Sequence, residues 1–257
     1  MSGGLVVEDL SVHFGGVYAL QSMDLTISPG TCVGLTGPNG SGKSTMVNAI
    51  TGLVPSRGQV TINGSSLRLG VPGAAARLGL RRTYQTPRVH AQLTGVENVC
   101  TGHPAPEGRN VVGALLRRRR AATIERERRA AAREALARVG EHRAGDIVGA
   151  SMSYGQRRLV ELARVLVANP SVLLLDEPGA GLNDEETASL QVLIGELISN
   201  GIAVLLIDHK VGLLNAVCDH LVVLEQGTKL EEGSPAEVWA SPRVRAAYIG
   251  QVGDAGA

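Results

Sequence analysis

A glycine-rich segment at residues 37–45 follows a short apolar run at 32–36 and precedes a helix-like stretch. Its spacing is Gly37, then four residues, then Gly42, Lys43 and Ser44. Glycines let the backbone turn so that successive N–H groups converge, and such a loop binds phosphate oxygens. Lys43 would reach the β and γ phosphates of a nucleotide, and Ser44 would ligate Mg²⁺. The predicted nucleotide contacts are Gly37, Pro38, Asn39, Gly40, Ser41, Gly42, Lys43, Ser44 and Thr45.

Acidic and imidazole side chains follow two further apolar runs. Residues 172–175 lead into Asp176 and Glu177, and residues 202–207 are closely followed by His209. Ionised acids that close an apolar strand are costly unless they have partners, so a functional role is expected. We predict that Asp176 holds Mg²⁺, that Glu177 orients and deprotonates an attacking water, and that His209 donates to a γ phosphate. Such groups would meet at the sheet edge where open α/β folds bind ligands.

Three other positions each have two interpretations. Phe14 either stacks on a purine base or fills the core of a hairpin, and Tyr18 is the other candidate for stacking. Gln85, at the end of a predicted strand at 81–84, is either an Mg²⁺ ligand that also contacts the water or a surface polar residue. Ser153 is predicted to cap the next helix. It is either an ordinary cap or part of a second anion site.

The hydrophobic pattern predicts an α/β fold with alternating strands and helices. The Ala- and Arg-rich stretch at 111–139, with four arginines at 117–120, forms either a solvated helical face or a contact with anionic lipid headgroups or an acidic partner. The predicted strands are residues 5–14, 23–27, 32–36, 58–63, 81–84, 172–176, 202–207, 221–224 and 228–230. The predicted helices are 44–53, 111–139 (one long helix or a helical pair), one that begins after Ser153, 184–199, 236–240 and 244–249.

Length and composition limit the possible classes of protein. With 257 residues, 44% of them hydrophobic, the chain can form one complete domain, and a net charge of +1 favours neither disorder nor nucleic-acid binding. We expect no signal peptide, and no run approaches the ~20 apolar residues of a membrane span, so any membrane role would be peripheral. The three scattered cysteines suit a reducing cytoplasm, and the dispersed histidines predict no protein-built metal site.

Taken in order, these motifs resemble the nucleotide-binding subunit of an ATP-binding cassette (ABC) transporter over about residues 5–250. The most specific motif is Met-Ser-Tyr-Gly-Gln at 152–156, which is similar to the family's Leu-Ser-Gly-Gly-Gln signature. Met152, Tyr154 and Asn183 depart from the usual family residues, while Ser153, Gly155 and Gln156 are retained. The resemblance implies an α/β P-loop NTPase fold with a RecA-like core and an N-terminal antiparallel β subdomain. It also implies one nucleotide-binding domain over 1–257, with a helical subdomain at approximately 90–168.

Four shorter motifs resemble the ATPases of branched-chain amino acid importers. They are Arg-Thr-Tyr-Gln at 82–85, Gly-Val-Glu-Asn-Val at 95–99, Ser-Tyr-Gly-Gln at 153–156 and Ala-Gly-Leu-Asn at 180–183. The arginine-rich segment is similar to the longer of the two ATPase subunits in such systems. Ala-Tyr-Ile-Gly at 247–250 agrees with this, although lipopolysaccharide-exporter ATPases end in a similar way.

The resemblance assigns roles to single residues and implies ATP and Mg²⁺ as cofactors. Phe14 is the adenine-stacking aromatic, and Gln85 is the Q-loop residue that couples to a membrane partner. Asp176 and Glu177 form the Walker B pair, residues 180–183 form the D-loop, and His209 is the switch histidine. Ser44, Gln85 and Asp176 are the expected Mg²⁺ ligands.

The resemblance also implies partners. Two ATPase subunits, as a homodimer or heterodimer, would stack head to tail, so that Ser153, Gly155 and Gln156 of one chain face the ATP on the other chain's P-loop. Integral membrane permeases would complete the transporter at the cytoplasmic face of the bacterial inner membrane, and an extracytoplasmic solute-binding protein would act indirectly; no nucleic acid is expected. The alternatives are urea or amide import, lipopolysaccharide or lipid export, a soluble ABC ATPase, and a P-loop kinase.

Overall fold

The computed structural model of the chain describes residues 3–104 and 118–249, which form two compact units. The described residues of the first unit are 3–82, 170–180 and 194–249, and those of the second unit are 83–104, 118–169 and 181–193.

The described strands and helices are as follows. The strands are β1 (Leu5–Phe14), β2 (Val17–Ile27), β3 (Cys32–Thr36), β4 (Arg57–Ile62), β5 (Ser65–Ser66), β6 (Leu80–Arg82), β7 (Val172–Asp176), β8 (Ala203–Ile207), β9 (His220–Glu225) and β10 (Thr228–Gly233). The helices are α1 (Lys43–Ile50), α2 (Ala74–Arg77), α3 (Gly95–Cys100), α4 (Arg118–Arg138), α5 (Tyr154–Leu166), α6 (Asp184–Ser199), α7 (Val211–Val217), α8 (Pro235–Ala240) and α9 (Pro242–Ile249), with 3₁₀ turns at His142–Asp146 and Gly149–Ser151.

The first unit contains two sheets. An antiparallel sheet has the order β2-β1-β4-β5, and a six-stranded sheet has the order β10-β9-β3-β8-β7-β6, in which only the β9–β10 pair is antiparallel. Every residue of β3, β7 and β8 is buried, as expected for parallel strands covered on both faces. Side chains of both sheets and of α1 form one hydrophobic cluster. The carboxyl ends of β3, β8 and β7 therefore lie next to one another at one edge.

Helix α1 begins at Lys43 and ends at Ile50, three residues before the predicted end. The N–H of Gly52 donates to Ala49 O (3.1 Å), and the N–H of Leu53 donates to Asn48 O (2.8 Å). This pair of bonds, with Gly52 at φ 74°, is a Schellman motif, which closes a helix where a glycine adopts the left-handed conformation. The prediction that the helix runs to residue 53 is therefore wrong.

Several strand boundaries also differ from the prediction, and two of these differences have a clear structural cause. Strand β2 starts at Val17 and not at residue 23, because the whole length of β1 offers it hydrogen-bonding partners. Strand β6 ends at Arg82, so Gln85 does not close a strand. The carbonyls of residues 84 and 85 accept hydrogen bonds from the side chain of Arg158, which replaces strand pairing there. The predicted 5–14 strand and 184–199 helix are confirmed.

The second unit is mostly helical. Helix α3, which sequence reasoning missed, starts with a capping box between Thr94 and Glu97. Helix α4 confirms the helix predicted at 111–139 from residue 118 onward; residues 111–117, and the side chains of the 117–120 arginines, lie outside the described residues. Arg129 pairs with Glu125 at 2.8 Å and with Glu97 at 3.6 Å, which agrees with a solvated, charge-paired face.

Candidate functional site

The loop after β3 has a backbone that only glycine can supply at two positions. Gly37 has φ 139°, and a Cβ atom there would lie 2.1 Å from the carbonyl oxygen of Leu224. Gly42 precedes α1 with φ 107°, and a Cβ atom there would lie 2.8 Å from the carbonyl oxygen of Ala19. The loop is therefore packed directly against neighbouring backbone, and it delivers the chain into the first turn of α1, whose N–H groups attract anions.

The Lys43 ammonium group lies over this loop. Its Nζ donates to Gly37 O at 2.7 Å and to Pro38 O at 2.8 Å. Burial lowers the pKa of Lys43, while the negative charges of Glu177 and Asp176 act in the opposite direction. A cation is thus held at the mouth of the loop, close enough to both acids to interact with them. Ser44, next in the chain, is exposed on the first turn of α1.

Asp176 is the last residue of β7 and is buried together with Arg82. Nη2 of Arg82 lies 2.9 Å from Oδ2 of Asp176, and Nη1 donates to Oδ1 of Asn48 on α1 at 2.6 Å. The two ion-pair side chains are 8% and 6% exposed. Sequence reasoning missed Arg82, because its partner lies 94 residues later in the chain and no local signal marks the pair.

Glu177 follows directly and adopts a left-handed backbone, with φ 49°. Its N–H donates to Ile207 O at 2.8 Å, which continues the pairing of β7 with β8 by one residue. A non-glycine residue in this region is uncommon, and such strain concentrates at functional sites. The conformation turns the chain away from the strand at the half-buried glutamate.

His209 follows β8 with its side chain 68% exposed. The buried carboxylate of Asp208 fixes its backbone, because Oδ1 accepts the N–H groups of His209 (2.8 Å) and Lys210 (2.9 Å). Thr36, at the end of β3, donates to the Asp208 carbonyl at 3.2 Å, and its hydroxyl lies 2.7 Å from that of Tyr248. The chain beside His209 is thus tied to the root of the glycine-rich loop.

Phe14 lies at the tip of the β1–β2 hairpin and is 51% exposed, so it is not a core residue. The turn is formed by Gly15 and Gly16, with φ 53° and 92°, a geometry that matches the twist of a tight hairpin. Tyr18, the other aromatic residue considered, is 56% exposed and contacts His13 edge to face at 5.7 Å. An aromatic ring open to solvent in this way offers a face for stacking.

The second unit contains the remaining predicted residues. Ser153 caps α5: its Oγ accepts the N–H of Gln156 at 3.2 Å, and Oε1 of Gln156 accepts the N–H of Ser153 at 3.0 Å. The predicted cap is therefore confirmed, and it is a full capping box. Gly155 lies in the first turn, where a Cβ atom would be 3.4 Å from Oε1 of Glu186. Gln85 is exposed in the loop that follows β6.

The structure brings together residues 37–45, Asp176, Glu177 and His209 at one edge of the parallel sheet of the first unit. Gln85, Ser153, Gly155 and Gln156 belong to the second unit. Among residues 3–104 and 118–249, no three or more His, Cys, Asp or Glu side chains are grouped to hold a metal ion. Within the same ranges, no helix has the length and apolarity needed to cross a bilayer.

Comparison with known proteins identifies relatives along nearly the whole chain. Residues 20–180 match the profile of the ABC transporter family. The chain is 35% identical over 250 residues to the high-affinity branched-chain amino acid transport ATP-binding protein BraF of Pseudomonas aeruginosa. The alignment covers 96% of this chain and 98% of BraF. It is 33% identical over 251 residues to the lipopolysaccharide export system ATP-binding protein LptB of Acidithiobacillus ferridurans, with coverages of 97% and 98%.

A solved structure has the same fold. It is the ADP conformation of an ATP-binding cassette of an ABC transporter, with a TM-score of 0.80, 28% identity, and coverages of 96% of this chain and 98% of the other. The α/β P-loop NTPase fold predicted from the sequence is therefore confirmed.

Proposed function

Because the chain belongs to the ABC transporter family and is an ATPase of that family, we propose that it energises the uptake of branched-chain or chemically related amino acids. The support for the solute class is the similarity to BraF, which extends over 96% of the chain. Lipopolysaccharide export is the second candidate, supported by the similarity to LptB at slightly lower identity.

One observation carries the catalytic part of the proposal: the loop with Lys43, the Asp176 and Glu177 pair, and His209 follow three adjacent parallel strands. In-line attack of water on a γ phosphate needs positioning and charge neutralisation more than covalent chemistry. Lys43 neutralises charge on the phosphates, and Glu177 orients and deprotonates the water. His209 donates from a backbone that Asp208 holds in place.

The residues fit a Mg²⁺ ion that is shared with the nucleotide. Mg²⁺ keeps several waters and is bound by one or two carboxylates together with substrate phosphates, so it does not require a cage of protein ligands. Asp176 and the exposed hydroxyl of Ser44 supply such oxygen donors, and Gln85 is the third proposed ligand. When bound, the ion supplies charge neutralisation on the phosphate oxygens. Phe14 stacks on the adenine.

We propose that the site is completed by a second ATPase subunit. Ser153, Gly155 and Gln156 at the start of α5 would face the phosphates on the partner's P-loop, where the helix N-terminus and its capping hydroxyl favour an anion. ATP would then bind between the two chains, and hydrolysis would let them separate.

The membrane part of the transporter is supplied by separate permease subunits. We propose that a helix of a permease docks between the loop at 85–88 and the helical segment α4, and that the chain works at the cytoplasmic face of the inner membrane. An extracytoplasmic solute-binding protein would deliver the amino acid to the permeases.

The test is the Glu177→Gln variant, assembled with its permeases in lipid vesicles. We expect ATP to bind and the phosphate-release rate to fall at least about 100-fold, because the water loses its base. Glu196→Gln, exposed on α6 and outside the proposed sites, is the matched control and should keep wild-type activity. Near wild-type hydrolysis by Glu177→Gln would refute the assignment. Uptake of labelled leucine by the wild-type vesicles separates amino acid import from lipopolysaccharide export.

A further inference from the structure

Three side chains on one face of α5 hold the backbone of the loop at residues 84–88, all within the second unit. Arg158 is 2% exposed, and its guanidinium donates from Nη1 to Tyr84 O and from Nη2 to Gln85 O, both at 2.6 Å. A planar guanidinium can serve two carbonyls in fixed geometry, which an ammonium group cannot do. The main chain on either side of the Gln85 α-carbon is therefore fixed by a helix that lies about 70 residues later in the chain.

Glu161 and Arg164 extend this arrangement along the loop. The fully buried Glu161 accepts the N–H groups of Tyr84 (3.4 Å) and Arg88 (3.1 Å), and Arg164 donates to Arg88 O and to Glu161. Burial raises the pKa of Glu161, and the Arg88 N–H and the positive charge of Arg164 oppose that effect. Because residues 158, 161 and 164 are spaced by three, they share one face of the helix. Hydrogen bonds therefore tie the backbone of the loop at 84–88 to α5.

Tyr154 adds a direct link between three segments. It occupies the position at which the family signature usually has glycine, and it lies in the first turn of α5. Its hydroxyl donates to Gln85 O at 3.3 Å and accepts from Arg158 Nη2 at 3.2 Å. Its ring packs against Gly181, where a Cβ atom would lie 2.7 Å from Tyr154 Cδ1. The tyrosine thus contacts the loop of Gln85 and the 180–183 turn, and it is itself part of the segment at 152–156.

We infer that Tyr154 and Arg158 are positioning residues that couple the two ATP sites of the dimer. The inference rests on the proposed function, in which Gln85 serves the ATP on its own chain's P-loop and the segment at 152–156 serves the ATP on the partner's P-loop. A chain that engages one ATP through 152–156 sets the position of Gln85 for the other ATP, because the same helix holds both. The coupling element is the Tyr154 hydroxyl together with the guanidinium group of Arg158.

A coupling role and a purely structural role of the Tyr154 hydroxyl make different predictions. Tyr154 is 47% exposed, so loss of its hydroxyl should leave folding unchanged. If the hydroxyl couples the sites, its loss changes the shape of the dependence of hydrolysis on ATP concentration and leaves the melting temperature unaltered. The Hill coefficient is therefore the measurement that separates the two roles, since it can reach the number of coupled sites.

The experiment measures phosphate release against ATP concentration for the complete complex in lipid vesicles. We expect a Hill coefficient of about 1.5–2 for the wild type and about 1 for Tyr154→Phe, with equal melting temperatures. Arg158→Lys should also lower the coefficient, because a lysine cannot serve both carbonyls. Arg157→Lys is the matched control; its Nη2 donates to Ala150 O, and we expect wild-type cooperativity.

The outcomes distinguish this inference from the function on which it rests. If the complete complex shows no ATP hydrolysis or transport, the proposed function fails. If it hydrolyses ATP with a Hill coefficient of 1 in the wild type, or if Tyr154→Phe keeps the wild-type coefficient, the coupling role is overturned and the ATPase assignment stands.

Discussion

Replacement of Arg82 by methionine should destabilise the chain far more than replacement of an arginine in an exposed ion pair. Arg82 and Asp176 are 8% and 6% exposed at an N–O distance of 2.9 Å, so Arg82→Met leaves a buried carboxylate without this partner. Removing one member of a buried pair costs about 3–5 kcal/mol. At about 2–4 °C per kcal/mol for a chain of roughly this size, the melting temperature should fall by about 6–20 °C.

The matched control is Arg133→Met. Arg133 pairs with Asp146 at 3.4 Å, but these side chains are 58% and 89% exposed. An exposed pair contributes less than about 1 kcal/mol, so the same substitution should shift the melting temperature by only a few degrees. Urea denaturation of both variants at low and high salt measures the difference, and screening should affect only the exposed pair.

A double-substitution test isolates the ion pair. In an Asp176→Asn background, Arg82→Met no longer leaves a buried carboxylate behind, so its cost should fall to about 1 kcal/mol or less. The reasoning is refuted if Arg82→Met unfolds within about 1 kcal/mol of Arg133→Met. It is also refuted if the cost of Arg82→Met is unchanged by Asp176→Asn, because the loss would then arise from packing alone.

Two further substitutions test the proposed nucleotide contacts. Phe14→Ala should weaken ATP binding about 5- to 150-fold, because it removes a stacking contact of about 1–3 kcal/mol. Phe14→Tyr should keep the affinity, and fluorescence titration with an ATP analogue measures both variants. Gly42→Ala should abolish nucleotide binding, measured by calorimetry, because of its positive φ and the clash with the Ala19 carbonyl, whereas Gly195→Ala, in open space on α6, should bind normally. Binding by Gly42→Ala at wild-type affinity would contradict the loop geometry.

The sequence was sufficient to predict a structural element where one local signal dominates. The strand at 32–36 and the strand at 172–176 were predicted because parallel strands buried on both faces are continuous apolar runs. The loop at 37–45 was predicted because its glycine spacing is specific. Helix α6 was predicted to the residue, since Asn183 caps it and acidic residues fill its first turn.

The contacts that sequence reasoning missed join residues far apart in the chain. The strand before Gln85 was predicted too long because its pairing is replaced by Arg158, 73 residues later. The cysteines are scattered in the sequence, yet the Sγ atoms of Cys32 and Cys218 lie 3.7 Å apart at a separation of 186 residues. The Arg82–Asp176 pair spans 94 residues. No local pattern encodes such pairs, because they depend on which distant segments of the chain come together within each unit.

The left-handed backbone at Glu177 has a consequence for engineering. Glycine and asparagine adopt this conformation more readily than glutamate does, so folding alone would favour them at this position. A library of variants sorted only for heat resistance would therefore enrich such replacements and discard the carboxylate. Under the role proposed for Glu177 as the base, selection for thermal tolerance and selection for turnover act in opposite directions at position 177, so any campaign to make this chain more robust has to keep that residue constant.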